Sequence, residues 1–370
     1  MRVALVHDWL TGMRGGERVL EVLCRMFPDA SLHTLVHVPG AVSPTIERLQ
    51  PHTSFLQRVP GIARWYRHLL PLYPAAIRLI DVGPVDLVIS TSHCVAKSVV
   101  APRGARHLCY CFTPVRYAYD QFDAYFGPDR VGRLRSALMR VAMTLFARWD
   151  RRTSVRPDRY VAISQYVARR ISRYYTRESA VIHPPVDTDF FTPSPGRPRT
   201  GGALVVSALV PYKRLDVAIA ACRRAGVPLT IVGSGPEEPQ LRALAETGVI
   251  FAGALTDIQI RDHYREASVV LLPGEEDFGI VPLEAQACDT PVVALGRGGA
   301  TETIVDGVTG ILTGEGVEAF ASGVRRAIDM PWTPGACRAQ AERFSVERFV
   351  EEMTEAVTSL MMAAPGEARW

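Results

Sequence analysis

An α/β protein of two domains, each a parallel sheet covered by helices on both faces, is the fold class the sequence predicts, and three observations predict it. A strand–turn–helix pattern runs through the first half of the chain and restarts after residue 198. Alternation of this kind builds parallel sheets buried between helices. A proline-rich stretch, His183-Pro184-Pro185-Val186-Asp187 through Pro193-Ser194-Pro195-Gly196-Arg197-Pro198, separates the two runs and reads as a linker. A chain of 370 residues that is 48% hydrophobic and 22% charged suits two ordinary globular domains. The expected division is 1–192 and 199–340, both Rossmann-like and facing across a cleft, with 341–370 a last segment crossing back to the first domain.

The first domain opens on the apolar run Arg2–His7, too short for a signal peptide and read as a buried strand. The loop Thr11-Gly12-Met13-Arg14-Gly15-Gly16 follows. A helix begins near Glu17, with Val19, Leu20, Leu23 and Phe27 on one face. Asp86–Ser90 and His107–Cys111 read as buried strands, and Arg159–Ile163 as the last strand of this half, followed by a helix from Gln165. Arg133–Arg152 reads as a basic amphipathic helix carrying Leu134, Leu138, Met139, Met143 and Phe146.

In the second domain Ala203–Ala208 is a strand, Leu209–Arg214 a loop and Leu215–Arg224 a helix. Leu229–Val232 is a strand ending on Gly233-Ser234-Gly235-Pro236. Val249–Phe251, Ser268–Leu272 and Pro291–Ala294 are three more strands. The final helix is about Ser345–Met362. Ligands of doubly wound sheets bind outside the carboxyl ends of the strands, so the strand-end loops are where chemistry is expected.

Composition narrows the partners. The net charge of +4 hides an asymmetry: residues 1–195 hold 26 arginines and lysines against 15 acids, and the remainder 16 against 23. The basic half points to an anionic partner, a lipid phosphate or membrane surface, against the plainer reading of a solvated arginine face. The segment Arg58–Arg78, with Trp65, Tyr66, Leu69, Leu70 and Tyr73, reads either as a membrane-interface element or as a helix packed on its own domain. No nucleic-acid module is visible, and no unbroken apolar stretch reaches the roughly 18 residues of a membrane span. Seven cysteines without metal-ligand spacing read as reduced core thiols of a cytosolic protein. Two lysines, Lys97 and Lys213, survive among 40 arginines, and both fall in segments that read as functional.

The densest chemistry lies in Pro273-Gly274-Glu275-Glu276-Asp277-Phe278-Gly279-Ile280-Val281-Pro282-Leu283-Glu284. A strand ends before it, and Gly279 and Pro282 place a helix start near Val281. Glu276 then sits in the loop and Glu284 in the first turn, with free amides around Phe278–Val281 directed at a ligand. Two carboxylates can grip a sugar and a ribose separately. The plainer reading is an acidic loop whose charges favour the helix dipole. Lys213, in the loop after the first strand of this domain, stands where a diphosphate would be met. Gly233-Ser234-Gly235 and Gly296-Arg297-Gly298-Gly299 add two more glycine loops at strand ends.

In these residues the chain resembles family 4 of the retaining glycosyltransferases, which have the two-domain GT-B fold. Glu276 and Glu284 match that family's E-x7-E motif, and Phe251-Ala252-Gly253, Phe278-Gly279, Gly298-Gly299-Ala300-Thr301-Glu302 and Gly307-Val308-Thr309-Gly310 also fit. His7-Asp8-Trp9-Leu10, Gly15-Gly16-Glu17-Arg18, Ser92-His93 and Cys109–Tyr117 are similar to a branch with mannosyltransferases of bacterial surface polysaccharides.

The resemblance implies a nucleotide-sugar donor, GDP-mannose in that branch with UDP-sugars open, and a glycan or lipid-linked acceptor. It implies Lys213 on the donor diphosphate with Arg214 beside it, Glu284 on the ribose, and Glu276 with Phe278, Gly279 and Ile280 on the transferred sugar. Gly15, Gly16 and Gly233 would let loops approach phosphates closely; the branch's histidine at the position of Phe112 contacts the sugar, so here His93 would do that work or the contact is lost. It implies no metal and no cofactor beyond the donor. It implies cytoplasmic work, with peripheral contact at the inner face of the membrane.

Three positions depart from the family pattern. Ala208 stands where an arginine is usual, so Arg214 or Arg297 would have to supply the second cation. Phe112 stands where a histidine is usual, and Asp289 where a glycine is usual. The first two keep open a catalytically weakened homologue that binds nucleotide sugar as a partner. A sugar-nucleotide epimerase of the same fold is a third reading.

Overall fold

The computed structural model describes residues 1–194, 199 and 201–364. Residues 195–198 of the expected linker lie outside the described residues. The chain forms two compact units, one of Met1–His183 with the segment from Phe349 onward, the other of Pro184–Arg348.

Unit 1 is built on seven parallel strands: β1 Val3–His7, β2 Ser31–Thr34, β3 His52–Thr53, β4 Leu87–Ser92, β5 Arg106–Cys111, β6 Arg159–Ala162 and β7 Ala180–Val181, in spatial order β3-β2-β1-β4-β5-β6-β7. The middle strands are apolar and buried along their length, as a sheet covered on both faces requires. Helix Gly15–Met26 turns Val19, Leu20, Leu23 and Cys24 inward. Phe27 falls on its C-cap and is half-buried, not on the inner helical face. Strands β2 and β3 were not legible in advance, and the reading of Arg159–Ile163 as the last strand is corrected by β7. Strands of two to four residues that contain His and Ser carry no periodicity to detect.

Unit 2 has six parallel strands: β8 Ala203–Val206, β9 Leu229–Val232, β10 Val249–Gly253, β11 Val269–Leu272, β12 Val292–Leu295 and β13 Gly310–Thr313, in order β10-β9-β8-β11-β12-β13. Helices Leu215–Ala225 and Val317–Asp329 bury Leu215, Ala218, Ile219, Phe320 and Val324 against Val205, Ile231, Leu271 and Val293. Each such aliphatic or aromatic side chain contributes about 1.5–3 kcal/mol by leaving water. Strand β8 ends at Val206, so Ser207 and Ala208, expected in the strand, belong to the loop that follows.

The last helix, Val346–Met362, carries Phe349 edge-on to Tyr110 of β5, ring centroids 5.6 Å apart. The segment Arg58–Arg78 is a run of short helical turns that bury Ile62, Tyr66, Tyr73 and Ile77 and leave Trp65 and Leu72 exposed. Tyr66 and Tyr73 are buried in the unit 1 core with Ile62 and Ile77, so these two rings are core residues and not an interface belt. All seven cysteines are buried with free thiols.

Candidate functional site

The chain of unit 2 lays β8, β9 and β10 to one side and then returns to the other side of β8 with β11. Sheets of this kind hold ligands in the crevice outside the strand ends at such a reversal, here where the loops leaving β8 and β11 lie side by side. Lys213 comes from the first of these loops, in the turn Pro211–Lys213, and Glu276 from the second. Their side chains meet as an ion pair, Lys213 Nζ donating to Glu276 Oε1, with both side chains largely buried. Lys213 Nζ also lies 5.3 Å from the centre of the Tyr212 ring.

Glycines make that meeting possible. A Cβ on Gly274 would lie 2.4 Å from the Tyr212 carbonyl oxygen, and one on Gly299 would lie 2.2 Å from Phe278 Cα. Gly299 donates its amide to the Glu276 carbonyl at 2.8 Å. The predicted site residue Gly233 packs in the same way against the Ser207 carbonyl. The glycine loops therefore lock the strand-end loops to one another backbone to backbone, a use that their spacing alone did not distinguish from phosphate binding.

Phe278 is buried, and Gly279, at φ +92°, caps the helix Ile280–Ala287. Residues around Ile280 therefore begin a helix whose first amides have no partner within it. Glu284 is buried on this helix, and its Oε2 accepts a hydrogen bond of 2.9 Å from Tyr264, which is itself fully buried. Tyr264 went unnoticed in the sequence. It is the single buried residue of the polar helix Asp257–Glu266, so no apolar stripe pointed to it.

The arginines expected to stand in at Ala208 are engaged elsewhere. Arg214, at φ +52°, forks onto Asp216 at 3.1 Å, and Arg297 pairs with Glu315. Ala208 is exposed.

Unit 1 repeats the topology, with its reversal between β1 and β4. Asp8 leaves the end of β1, and its fully buried carboxylate accepts the amides of His93, Cys94, Val95 and Ala96 at 2.6–2.9 Å. It also lies 3.2 Å from His93 Nδ1. Burial pushes the His93 imidazole below its ordinary value, against the pull of Asp8. A neutral ring that donates from Nδ1 to Asp8 presents Nε2 as an acceptor. Trp9 packs edge-on to His93 at 4.4 Å, and Phe112 lies 6.3 Å away.

Gly15 and Gly16 open the helix Gly15–Met26, and a Cβ on Gly16 would touch Phe112 at 3.4 Å and His7 at 3.6 Å. His7 Nε2, buried without a hydrogen-bond partner, faces Glu17 Oε1 at 3.8 Å. Burial pushes the Glu17 carboxyl up, but the attraction of the nearby His7 ring and a backbone hydrogen bond outweigh this, and its pKa ends below the ordinary value.

Lys97 does not belong with these groups, despite the sequence reading. It is buried against Asp150 at 2.8 Å, whose other oxygen accepts from Tyr119 and Tyr175 at 2.9 and 2.8 Å. That is a closed core network. Among the described residues, no cluster of three His, Cys, Asp or Glu side chains is arranged to hold a metal ion, and no helix is long and apolar enough to cross a membrane.

Residues 13–190 match the family model described as Glycosyltransferase Family 4, and residues 195–344 match Glycosyl transferases group 1. A D-inositol 3-phosphate glycosyltransferase from Geodermatophilus obscurus is 34% identical over 240 residues, covering 55% of this chain and 52% of the relative. A GDP-mannose-dependent alpha-(1-6)-phosphatidylinositol monomannoside mannosyltransferase from Mycolicibacterium smegmatis is 31% identical over 238 residues, covering 56% and 62%. The chain thus spans about half the length of the first of these relatives. Among solved structures, Anabaena HepE in complex with UDP superposes with a TM-score of 0.67 at 18% identity, over 97% of this chain and 100% of that one. Sucrose-phosphate synthase from Thermosynechococcus elongatus gives 0.71 at 16%, over 98% and 100%. At those identities the structures speak to the fold, which they share.

Proposed function

The chain belongs to family 4 of the glycosyltransferases, and from that premise we propose that it transfers a hexose from a nucleotide sugar, with retention of anomeric configuration, to a glycan, lipid-linked or small-molecule acceptor. The observation that carries this reading is the pairing of Lys213 with Glu276 at the strand reversal of unit 2, with Glu284 buried nearby on the helix that Gly279 caps. Lys213 takes the donor diphosphate as a compact charge. Glu284, held by Tyr264, accepts the ribose hydroxyls. Arrival of the diphosphate draws Lys213 away from Glu276, whose freed carboxylate then accepts hydroxyls of the transferred sugar. The acceptor hydroxyl attacks the anomeric carbon on the face the diphosphate leaves. The C–O bond to phosphate breaks, and the departing phosphate oxygen takes the hydroxyl proton, so no side chain is needed as a base. Fixed charges and amides at the leaving group do the work a solvent would have to reorganise for.

GDP-mannose is the first donor to test, because the mannosyltransferase relative is named for it. A UDP-sugar is the second reading. The non-catalytic reading draws on Ala208, since Arg214 and Arg297 both have carboxylate partners.

Titration calorimetry with GDP-mannose, UDP-glucose and UDP-GlcNAc, on the wild type and Lys213→Ala, tests the proposal. One donor that binds the wild type and is lost in the variant supports it and identifies the base. No binding of any donor sinks it, and donor binding without turnover would favour the weakened-homologue reading.

A further inference from the structure

Helix Arg133–Thr153 of unit 1 has one covered face of mixed polarity and, opposite it, an exposed apolar row. Ser136, Met143, Phe146, Asp150 and Thr153 are turned inward. On the far side stand Leu134, Leu138, Val141 and Leu145, which are 86, 70, 61 and 59% exposed. Their spacings of four, three and four residues put them on one line along the helix, about 16 Å long at 1.5 Å per residue. Single exposed leucines are ordinary, but an aligned row of four marks a surface that something covers.

Charge says what covers it. The helix carries six arginines, Arg133, Arg135, Arg140, Arg148, Arg151 and Arg152, all exposed, and one acid, Asp150, which is buried on Lys97. Arg148 and Arg152 fall three and seven residues beyond Leu145, at the end of the same row. A second copy docked on this face would set arginine against arginine. An anionic bilayer surface instead accepts the apolar row among its acyl chains and the guanidinium groups among its phosphates. Arginine stems are long enough to reach those phosphates while the leucines are immersed.

We propose that the exposed face of helix Arg133–Thr153 is a docking surface for anionic phospholipid. The inference goes beyond the transfer reading and stands without it. Flotation of the full chain tests it, with equimolar phosphatidylglycerol–phosphatidylcholine vesicles beside vesicles of phosphatidylcholine alone. The wild type should float with the anionic vesicles, and raising salt from about 0.1 to about 0.5 M should release it. The joint variant Leu134→Gln, Leu138→Gln, Val141→Gln and Leu145→Gln should lower the bound fraction about tenfold or more. The variant Arg148→Gln with Arg152→Gln should weaken binding to anionic vesicles only. Because these side chains are exposed, the melting temperature and donor binding of both variants should match the wild type. Lack of flotation by the wild type overturns the proposal, as does binding that survives the four glutamines. It is equally overturned if light scattering shows a wild-type dimer that the four glutamines dissociate, since the row would then be a self-association face.

Discussion

Lys213 and Glu276 leave neighbouring strands, β8 and β11, at the point where the second sheet reverses its order, and their side chains close on each other as an ion pair. Each is therefore the other's competitor for whatever enters the crevice. Removing the lysine should cost a charge-assisted bond of about 1.5–3 kcal/mol, weakening donor binding roughly tenfold to a hundredfold. Removing the glutamate charge should act oppositely on a ligand without a sugar. Glu276→Gln should bind nucleoside diphosphate at least as tightly as the wild type while turning over donor about tenfold more slowly. Calorimetry with the diphosphate alone, beside a steady-state assay, checks both. A Glu276→Gln chain that binds the diphosphate more weakly would show that the ion pair organises the site instead of competing for it.

The loop that carries Glu276 rests on Gly299. A methyl group there would lie 2.2 Å from Phe278 Cα, a backbone atom that cannot swing aside. Gly299→Ala should destabilise unit 2 by about 1–3 kcal/mol or more. For a unit of this size that lowers the melting temperature roughly 2–4 °C per kcal/mol. Donor affinity should fall with it. Gly314→Ala is the matched control, since its nearest neighbour is Ala319 Cβ at 3.8 Å. Its effect should stay within about 0.5 kcal/mol. Calorimetric melting of the three chains separates the outcomes, and equal melting of all three would remove the packing argument.

These residues show how far the sequence could be read. Five of the six strands of unit 2 were visible because each is a short apolar run beside turn residues, whereas β13, which starts on a glycine and ends on a threonine, was not; the glutamates followed from the helix start at Gly279. The loops could be placed at strand ends, but their partners could not. Lys213 on Glu276, 63 residues apart, and Tyr264 on Glu284, 20 apart, are products of strand order, which no local pattern encodes. Asp8 was noticed only inside a resemblance. Its position beneath four successive amides depends on β1 lying beside β4 across 85 residues of chain. Rarity misled in one case: Lys97 shares its scarcity with Lys213, yet one is core and the other lines the crevice.

That core lysine makes its own prediction. Lys97 and Asp150 are both almost wholly buried, and Tyr119 and Tyr175 complete the carboxylate's partners. Lys97→Met removes the cation and leaves the acid in a medium that cannot solvate it. Such a loss costs about 3–5 kcal/mol, far more than the pair's net contribution. Denaturant unfolding should show that destabilisation. Adding Asp150→Asn to the same chain should recover part of it, because the neutral amide no longer needs a counter-charge. A double variant as unstable as the single one would mean that packing, not charge, sets the cost.

Acid should loosen unit 1 through His33. This ring is buried on β2 and stacked on His52 at 5.1 Å, with Nε2 at 3.0 Å from Ser31 Oγ. Burial, with the neighbouring His52 second, lowers its pKa from 6.5 to about 4. The unfolded chain therefore takes up this proton earlier than the folded one. By linkage the stability is fully present above pH 6.5, falls as the pH drops, and levels off once the folded ring titrates near pH 4. His107, hydrogen-bonded to Ser90 at 2.8 Å and lowered by burial to about 3, adds to the same slope and extends it downward. His33→Asn keeps a polar group near Ser31 but takes up no proton. Its melting temperature should change less between pH 6.5 and 4 than that of the wild type, with the two curves parallel above that window. Parallel curves throughout would show that the ring titrates alike in the folded and unfolded chain, and that the acid sensitivity of unit 1 arises elsewhere.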